Sequence, residues 1–419
     1  MRPRLSVAAG LLLVLAGPAM GQSKITWKKT ILDTRFRSEG VAVADVNKDG
    51  KMDVLNGEYW YEAPDWKPHE MQPFRDYGTG EHGYSHSFLC WAEDLNGDGY
   101  PDLIVIDFPG DPCFWLENPK GDPDKHWAKH EIWHSACNET PQYLDLFGTG
   151  KKVLIMGFQP KGIKSDGNQG QMAYFTPAKD PNALWEMHPI SEPTPPGRPA
   201  VPGTNRFSHG LGIGDINGDG RQDVICTDGW WEQPEKPDAG PWTFHPAKLG
   251  PACADMFTYD VNFDGKADIL SSSAHDFGIW AYHQKAGKEH PDFVQVPLFR
   301  ELVGETHSMH CVDIDGDGMK DLVTGKRFWS HGRSYVGGSD WPAMLYWFKA
   351  TKVTEKKDKQ PERSFVRFTP MVIDIDSGVG TQFAVQDING DGLLDVVVSN
   401  KKGVCVITQE RKPQAPEKK

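Results

Sequence analysis

The stretch Asp215-Ile216-Asn217-Gly218-Asp219-Gly220-Arg221-Gln222-Asp223 decides the fold. Side-chain oxygens at its positions 1, 3, 5 and 9 are spaced to converge on one point, and glycine at position 6 permits the sharp turn that a hard, oxygen-ligated cation needs. It reads as a calcium loop. Five further intact copies give six ligand sets: Asp45, Asn47, Asp49 and Asp53; Asp94, Asn96, Asp98 and Asp102; Asp215, Asn217, Asp219 and Asp223; Asp260, Asn262, Asp264 and Asp268; Asp313, Asp315, Asp317 and Asp321; Asp387, Asn389, Asp391 and Asp395. A seventh copy at Asp145-Leu146-Phe147-Gly148-Thr149-Gly150 keeps the turn and loses most ligands.

An EF-hand would need a glutamate at position 12 and a helix on each side. Position 12 holds Asn56, Val105 and Cys226, and the flanks are short apolar runs such as Leu211-Gly-Ile-Gly214. Each loop therefore joins two strands. Dockerin-type modules share the spacing but pair two loops with helices, and this chain has no helical periodicity.

The loops recur on average about every 57 residues, which suits a four-stranded propeller blade rather than a solenoid rung. With 44 Gly, 32 Pro and 15 Trp among 419 residues, the chain reads as all-β. Net charge is −13, and −15 without the two charges of Arg2 and Arg4, so a nucleic-acid or anionic-membrane partner is not expected.

Residues 1–21 combine a basic start, the apolar run Ala8–Ala16 and small residues at Ala19 and Gly21, the pattern of a secretory signal peptide. The expected location is secreted or periplasmic, with no membrane span. Residues 22–408 form the repeat domain, and the Lys-, Glu- and Pro-rich residues 409–419 read as a disordered tail. The seven cysteines cannot all pair with one another. Cys90, Cys226, Cys311 and Cys405 sit in strand-like runs as buried thiols, while Cys113, Cys137 and Cys253 lie in loops where one disulfide is open.

The first unit begins at Ile25–Ile31. Phrases such as Tyr59-Trp60-Tyr61-Glu62 and Trp230-Trp231-Glu232 read as the third strand of a unit, with Trp packed between sheets. Residues 191–205 and the charged run 352–363 read as surface excursions.

The repeated loop between strands resembles the FG-GAP and VCBS repeats of calcium-bearing seven-bladed β-propellers. The resemblance implies a seven-bladed β-propeller with calcium loops between the first and second strands of most blades, on the face opposite the ligand-binding mouth. The residue six places before each first Asp then lies at the mouth: Glu39, Glu139, His209, His307 and Thr381, with His86 displaced by two in the second unit. The residue five past each last Asp returns there: Glu58, Asp107, Asp228, Ser273, Lys326 and Asn400, with His275, Asp276, Arg327 and Lys401 beside them.

Two readings follow. In one, His86, Glu139, His209 and His307 hold Zn²⁺ or another divalent metal in the channel. In the other, these histidines cap strands through backbone hydrogen bonds.

Tyr59–Lys67 and the Ser-His phrases also resemble the propeller of aldos-2-ulose dehydratases, carbon–oxygen lyases that remove water from oxidised keto-sugars with bound metal. That resemblance implies a metal-polarised carbonyl; the inferred places near the mouth then offer His275 or Glu58 as base, His310 or Lys326 as acid, and Tyr59, Trp230, Asp107 and Asp228 as substrate contacts. The competing class is a non-catalytic propeller that binds a carbohydrate or a protein loop. Glycoside hydrolysis by paired carboxylates also stays open. No nucleophile elbow, dinucleotide fingerprint or P-loop is present, so serine hydrolysis, nicotinamide redox and NTP chemistry have no support.

Overall fold

The computed structural model describes residues 24–412 except 79, 81–82, 164–168, 196, 288–289, 333–337 and 360. The expected signal segment, 1–21, and residues 413–419 of the expected tail lie outside the described residues. Strands dominate, and the one helical element among the described residues is a single 3-10 turn at Pro237–Ala239.

The sheets form a propeller-like ring. Five are four-stranded antiparallel meanders. The first, for example, runs through Ala42–Ala44, Asp53–Asn56, Tyr59–Glu62 and Lys67–Glu70. A sixth has eight strands, because Leu211–Gly214 pairs in parallel with Met256–Tyr259 through Gly212 opposite Met256 and Ile213 opposite Phe257. Two glycines permit this. A Cβ on Gly212 would lie 2.2 Å from the Met256 carbonyl, and one on Gly214 would lie 2.2 Å from Thr258 Cγ2.

The N-terminal strand Lys24–Asp33 corrects one expectation. It does not begin the first unit. It pairs antiparallel with Gly403–Lys412 as the outer strand of the last sheet, joining the two ends of the chain. Gln409–Lys412 are therefore strand rather than tail. The charged run likewise belongs to a long hairpin, Leu345–Glu355 against Arg363–Asp374.

Every intact loop turns as its spacing requires. In the loop at Asp215, Oδ1 accepts from Asp219 N at 3.1 Å and Oδ2 from Gly220 N at 2.9 Å, with Gly220 at φ 86°. The ninth-position Asp is a brace. Asp223 is wholly buried, and its two oxygens accept from Ile216 N at 2.8 Å and Gln233 N at 2.9 Å, tying loop, second strand and third strand together. Asp53, Asp102, Asp268, Asp321 and Asp395 repeat this pattern. In the loop that carries a third-position Asp, ligand atoms of Asp313, Asp315 and Asp321 gather within 4.8 Å of one another.

A second repeat accompanies the loops. Trp60, Trp115 and Trp230 stack on His69, His130 and His245 at 4.3–4.4 Å. Each histidine bonds a glutamate, Glu62, Glu117 or Glu232, whose other oxygen accepts from the third-position Asn of the adjacent loop. The loop geometry is thus wired into the packing between sheets. All seven cysteines are free thiols, and Cys113 and Cys137 open the strands Cys113–Glu117 and Cys137–Leu144 rather than lying in loops.

Candidate functional site

Four histidines meet at one end of the ring. His209 precedes Leu211–Gly214, His307 precedes Met309–Val312, His275 follows Asp268–Ser272, and His331 lies beyond Asp321–Gly325. Their ligand nitrogens all lie within 4.8 Å of one another. The rings of His209 and His275 are 4.3 Å apart, those of His275 and His331 4.5 Å, and Nε2 of His307 faces Nε2 of His331 at 3.3 Å.

Backbone carbonyls orient two of these rings. Nδ1 of His209 lies 2.9 Å from the Phe207 oxygen and Nδ1 of His307 lies 3.1 Å from the Glu305 oxygen. A proton on each Nδ1 donates to that carbonyl and leaves Nε2 bare, the tautomer a metal ligand requires. Nε2 of His209 is buried with no hydrogen-bond partner. Burial and the charge of Arg327 hold His307 well below the usual histidine range, and burial with neighbouring charges lowers His275 to about 4 and His331 to about 3. These three are neutral at neutral pH. Four imidazoles whose ligand nitrogens lie within 4.8 Å of one another, one pair at 3.3 Å, fit a divalent first-row ion, whose bonds to nitrogen are about 2.0–2.1 Å.

Behind them stands a buried charge array. Arg327, 1% exposed, reaches Glu39 at 3.0 Å and Glu139 at 3.3 Å, joining the first and third sheets to its own. Glu139 in turn lies 3.4 Å from Nε2 of His209. Burial opposes ionisation of Glu139, and the neighbouring positive charge of Arg327 favours it. Glu139 is an anion between two cationic or ligating groups.

The other expected site residues scatter. His86 is not among the four histidines: its Nδ1 lies 2.7 Å from Asp107 Oδ1, in a group with Asp111. Glu58 accepts from the Tyr77 hydroxyl at 2.9 Å, and its second oxygen is buried without a partner. His310 sits against the Phe383 carbonyl at 2.9 Å, and Lys326 is buried against Glu305 at 2.7 Å, so neither reaches the four histidines. Trp230 is 1% exposed and stacked on His245, which leaves no ring face for a sugar. Tyr59 lies under the Arg37 guanidinium at 4.7 Å. Asp228 does reach the site, lining a cleft of about 700 Å³ with Phe207, Thr227, Phe244, His209 and His275.

His331 was missing from the sequence expectation. It lies ten residues past Asp321, beyond the five-residue count that marks the mouth, but Ser330-His331-Gly332 repeats Ser208-His209-Gly210 and carried a usable signal.

Comparison with family models and with curated proteins returns no match. Solved structures show partial similarity along much of the chain. An Agrocybe aegerita lectin specific for non-reducing terminal N-acetylglucosamine is 15% identical over 85% of this chain and 87% of its own, with TM-score 0.39. Rhamnogalacturonan lyase YesW is 13% identical over 93% and 74%, with TM-score 0.42. The V. cholerae biofilm matrix protein Bap1 is 12% identical over 94% and 84%, with TM-score 0.34. Among the described residues no helix is long and apolar enough to cross a membrane.

Proposed function

We propose that the chain is an exported, calcium-stiffened seven-bladed propeller that acts as a metal-assisted carbon–oxygen lyase on ketone-bearing sugars. The observation that carries this reading is the convergence of His209, His275, His307 and His331 beside an open cleft. The count of seven treats the eight-stranded sheet as two blades whose first strands touch. Export rests on residues 1–21 and calcium on the six loops.

A Zn²⁺ or similar ion on the four imidazoles would supply Lewis acidity toward a sugar carbonyl. The remaining work falls to the chain. His275 becomes a ligand, and the base role passes to Glu139, whose carboxylate lies 3.4 Å from His209 Nε2 and 3.3 Å from Arg327. It takes the proton from the carbon next to the carbonyl and passes it to the departing β-hydroxyl, so that the β-carbon–oxygen bond breaks and water leaves. No oxidant or reductant is consumed. Phe207 and Phe244 offer apolar faces to a sugar ring, and Asp228 accepts from its hydroxyls.

The test is incubation with a panel of keto-sugars, following the conjugated enone by ultraviolet absorbance. Glu139→Gln is expected to lower turnover by about 100-fold or more. If wild type binds sugars in the cleft but eliminates water from none, the chain is the binding module instead, a reading that the same cleft favours.

A further inference from the structure

His331 differs from His209 and His307 in what holds its ring. Those two set Nδ1 against a carbonyl two residues upstream in their own segments. Nδ1 of His331 instead faces the Tyr84 hydroxyl at 3.5 Å, and the same hydroxyl lies 2.9 Å from the Ser330 carbonyl. Tyr84 belongs to the connection between Lys67–Glu70 and Leu89–Glu93, whereas His331 follows Asp321–Gly325, 247 residues further along the chain. One side chain reaches from the junction of the first two sheets to a histidine of another.

The phenol is itself held in place. Its ring packs 5.8 Å from Phe88 and 5.5 Å from Phe108, and Lys401 Nζ lies 4.4 Å from its centroid. Lys401 Nζ also donates to the Trp329 carbonyl at 3.0 Å. The carbonyls of Trp329 and Ser330, the two residues before His331, are therefore taken by Lys401 and Tyr84 side by side.

A phenol has one proton to give and lone pairs to accept with. When it donates to the Ser330 carbonyl, its oxygen is left to accept from Nδ1–H of His331. That places the ring proton on Nδ1 and leaves Nε2 bare, 3.3 Å from Nε2 of His307. In the other tautomer Nε2 carries the proton and donates to His307, which takes both nitrogens away from a metal. The acceptor at Nδ1 decides between the two.

We propose that Tyr84 is a positioning residue of the four-histidine centre, fixing the tautomer and ring orientation of His331 through one hydroxyl. Its consequence for metal affinity rests on the four-histidine reading; the tautomer is a property of the metal-free chain.

The test compares the full chain in wild type and in Tyr84→Phe, which keeps the ring and removes the hydroxyl. Long-range proton–nitrogen spectra of metal-free protein with isotope-labelled histidine, assigned with His331→Ala, read the tautomer. Nδ1–H is expected in wild type and Nε2–H in Tyr84→Phe. Co²⁺ titration followed by visible absorbance should show affinity about tenfold or more weaker in Tyr84→Phe. Adding Tyr84→Phe to His331→Ala should cost nothing further, because the ligand it serves is already gone. Nε2–H in wild type, an unchanged tautomer in Tyr84→Phe, or losses that simply add overturns the proposal, and the wild-type spectrum decides even if the variant does not fold. No Co²⁺ uptake by wild type would instead overturn the four-histidine reading, and the spectra would still judge Tyr84.

Discussion

His307 and His331 face each other Nε2 to Nε2 at 3.3 Å, one from the start of a first strand and the other from the turn beyond the second strand of the same sheet. Two neutral imidazoles at that distance share one proton or one metal. With His209 and His275 closing the set, the arrangement has the donors of a metal centre and the low-lying titrations that keep His275, His307 and His331 in ligand form.

Arg327 is the structural partner of that centre. Replacing it with Met leaves Glu39 and Glu139 buried with less positive charge, and breaking a buried pair costs about 3–5 kcal/mol. Lys at the same position keeps the charge but not the fork that spans both carboxylates, so it should restore less than half of the loss. Urea unfolding of wild type and both variants measures this; equal stability for all three would remove the array from the fold's support.

Gly212→Ala should be destabilising by about 1–3 kcal/mol, because the clash is with backbone that cannot rotate away. The added Cβ would sit 2.2 Å from the Met256 carbonyl. Chemical denaturation checks it, and a neutral result would mean that the parallel pairing is not held tightly in solution.

Lys349 reaches Asp315 and, at 2.9 Å, Asp317, so its ammonium occupies the charge that calcium would take in that loop. Lys349→Met should raise the calcium affinity of this one loop by up to about fivefold, equivalent to about 1 kcal/mol. Calorimetric titration of wild type and variant reads the change. Weaker calcium binding in the variant would show that the lysine supports the loop instead.

Asp33 sits at the closing strand, bonded to Arg35 at 3.0 Å and Arg37 at 3.1 Å. Burial opposes its ionisation, but the arginine hydrogen bonds prevail and hold it below its ordinary 3.8. A depressed carboxyl contributes stability that is present above its unfolded value and is lost as pH falls through the folded one. The stability gap between wild type and Asp33→Asn should therefore be constant near neutrality and shrink below pH 3.8. A gap that widens on acidification would reverse the sign.

The spacing of the Asp-rich loops served as a ruler for the strands that flank them. Counting six residues back from Asp215 and Asp313 reached His209 and His307, and counting five forward from Asp268 and Asp321 reached Ser273 and Lys326, with His275 and Arg327 beside them. The ruler failed in two ways. In the second unit the sixth position back is Phe88, 1% exposed in the core, and His86 points to Asp107 instead. His331 stands in an insertion that strand periodicity does not reach. The ninth-position Asp shows a further limit, since spacing reveals a carboxylate near the loop but not that both of its oxygens are taken by backbone N–H groups of its own sheet. Ring closure by Lys24–Asp33 pairs residues at opposite ends of the chain, a contact that no local pattern encodes.

Elemental analysis of the dialysed protein, in wild type, His307→Ala and His331→Ala, is the most direct measurement. Wild type is expected to retain one zinc or similar ion at the four histidines, and each variant to lose that ion while calcium stays. Wild type with calcium alone, or variants that keep the same metal content, would contradict the four-histidine centre.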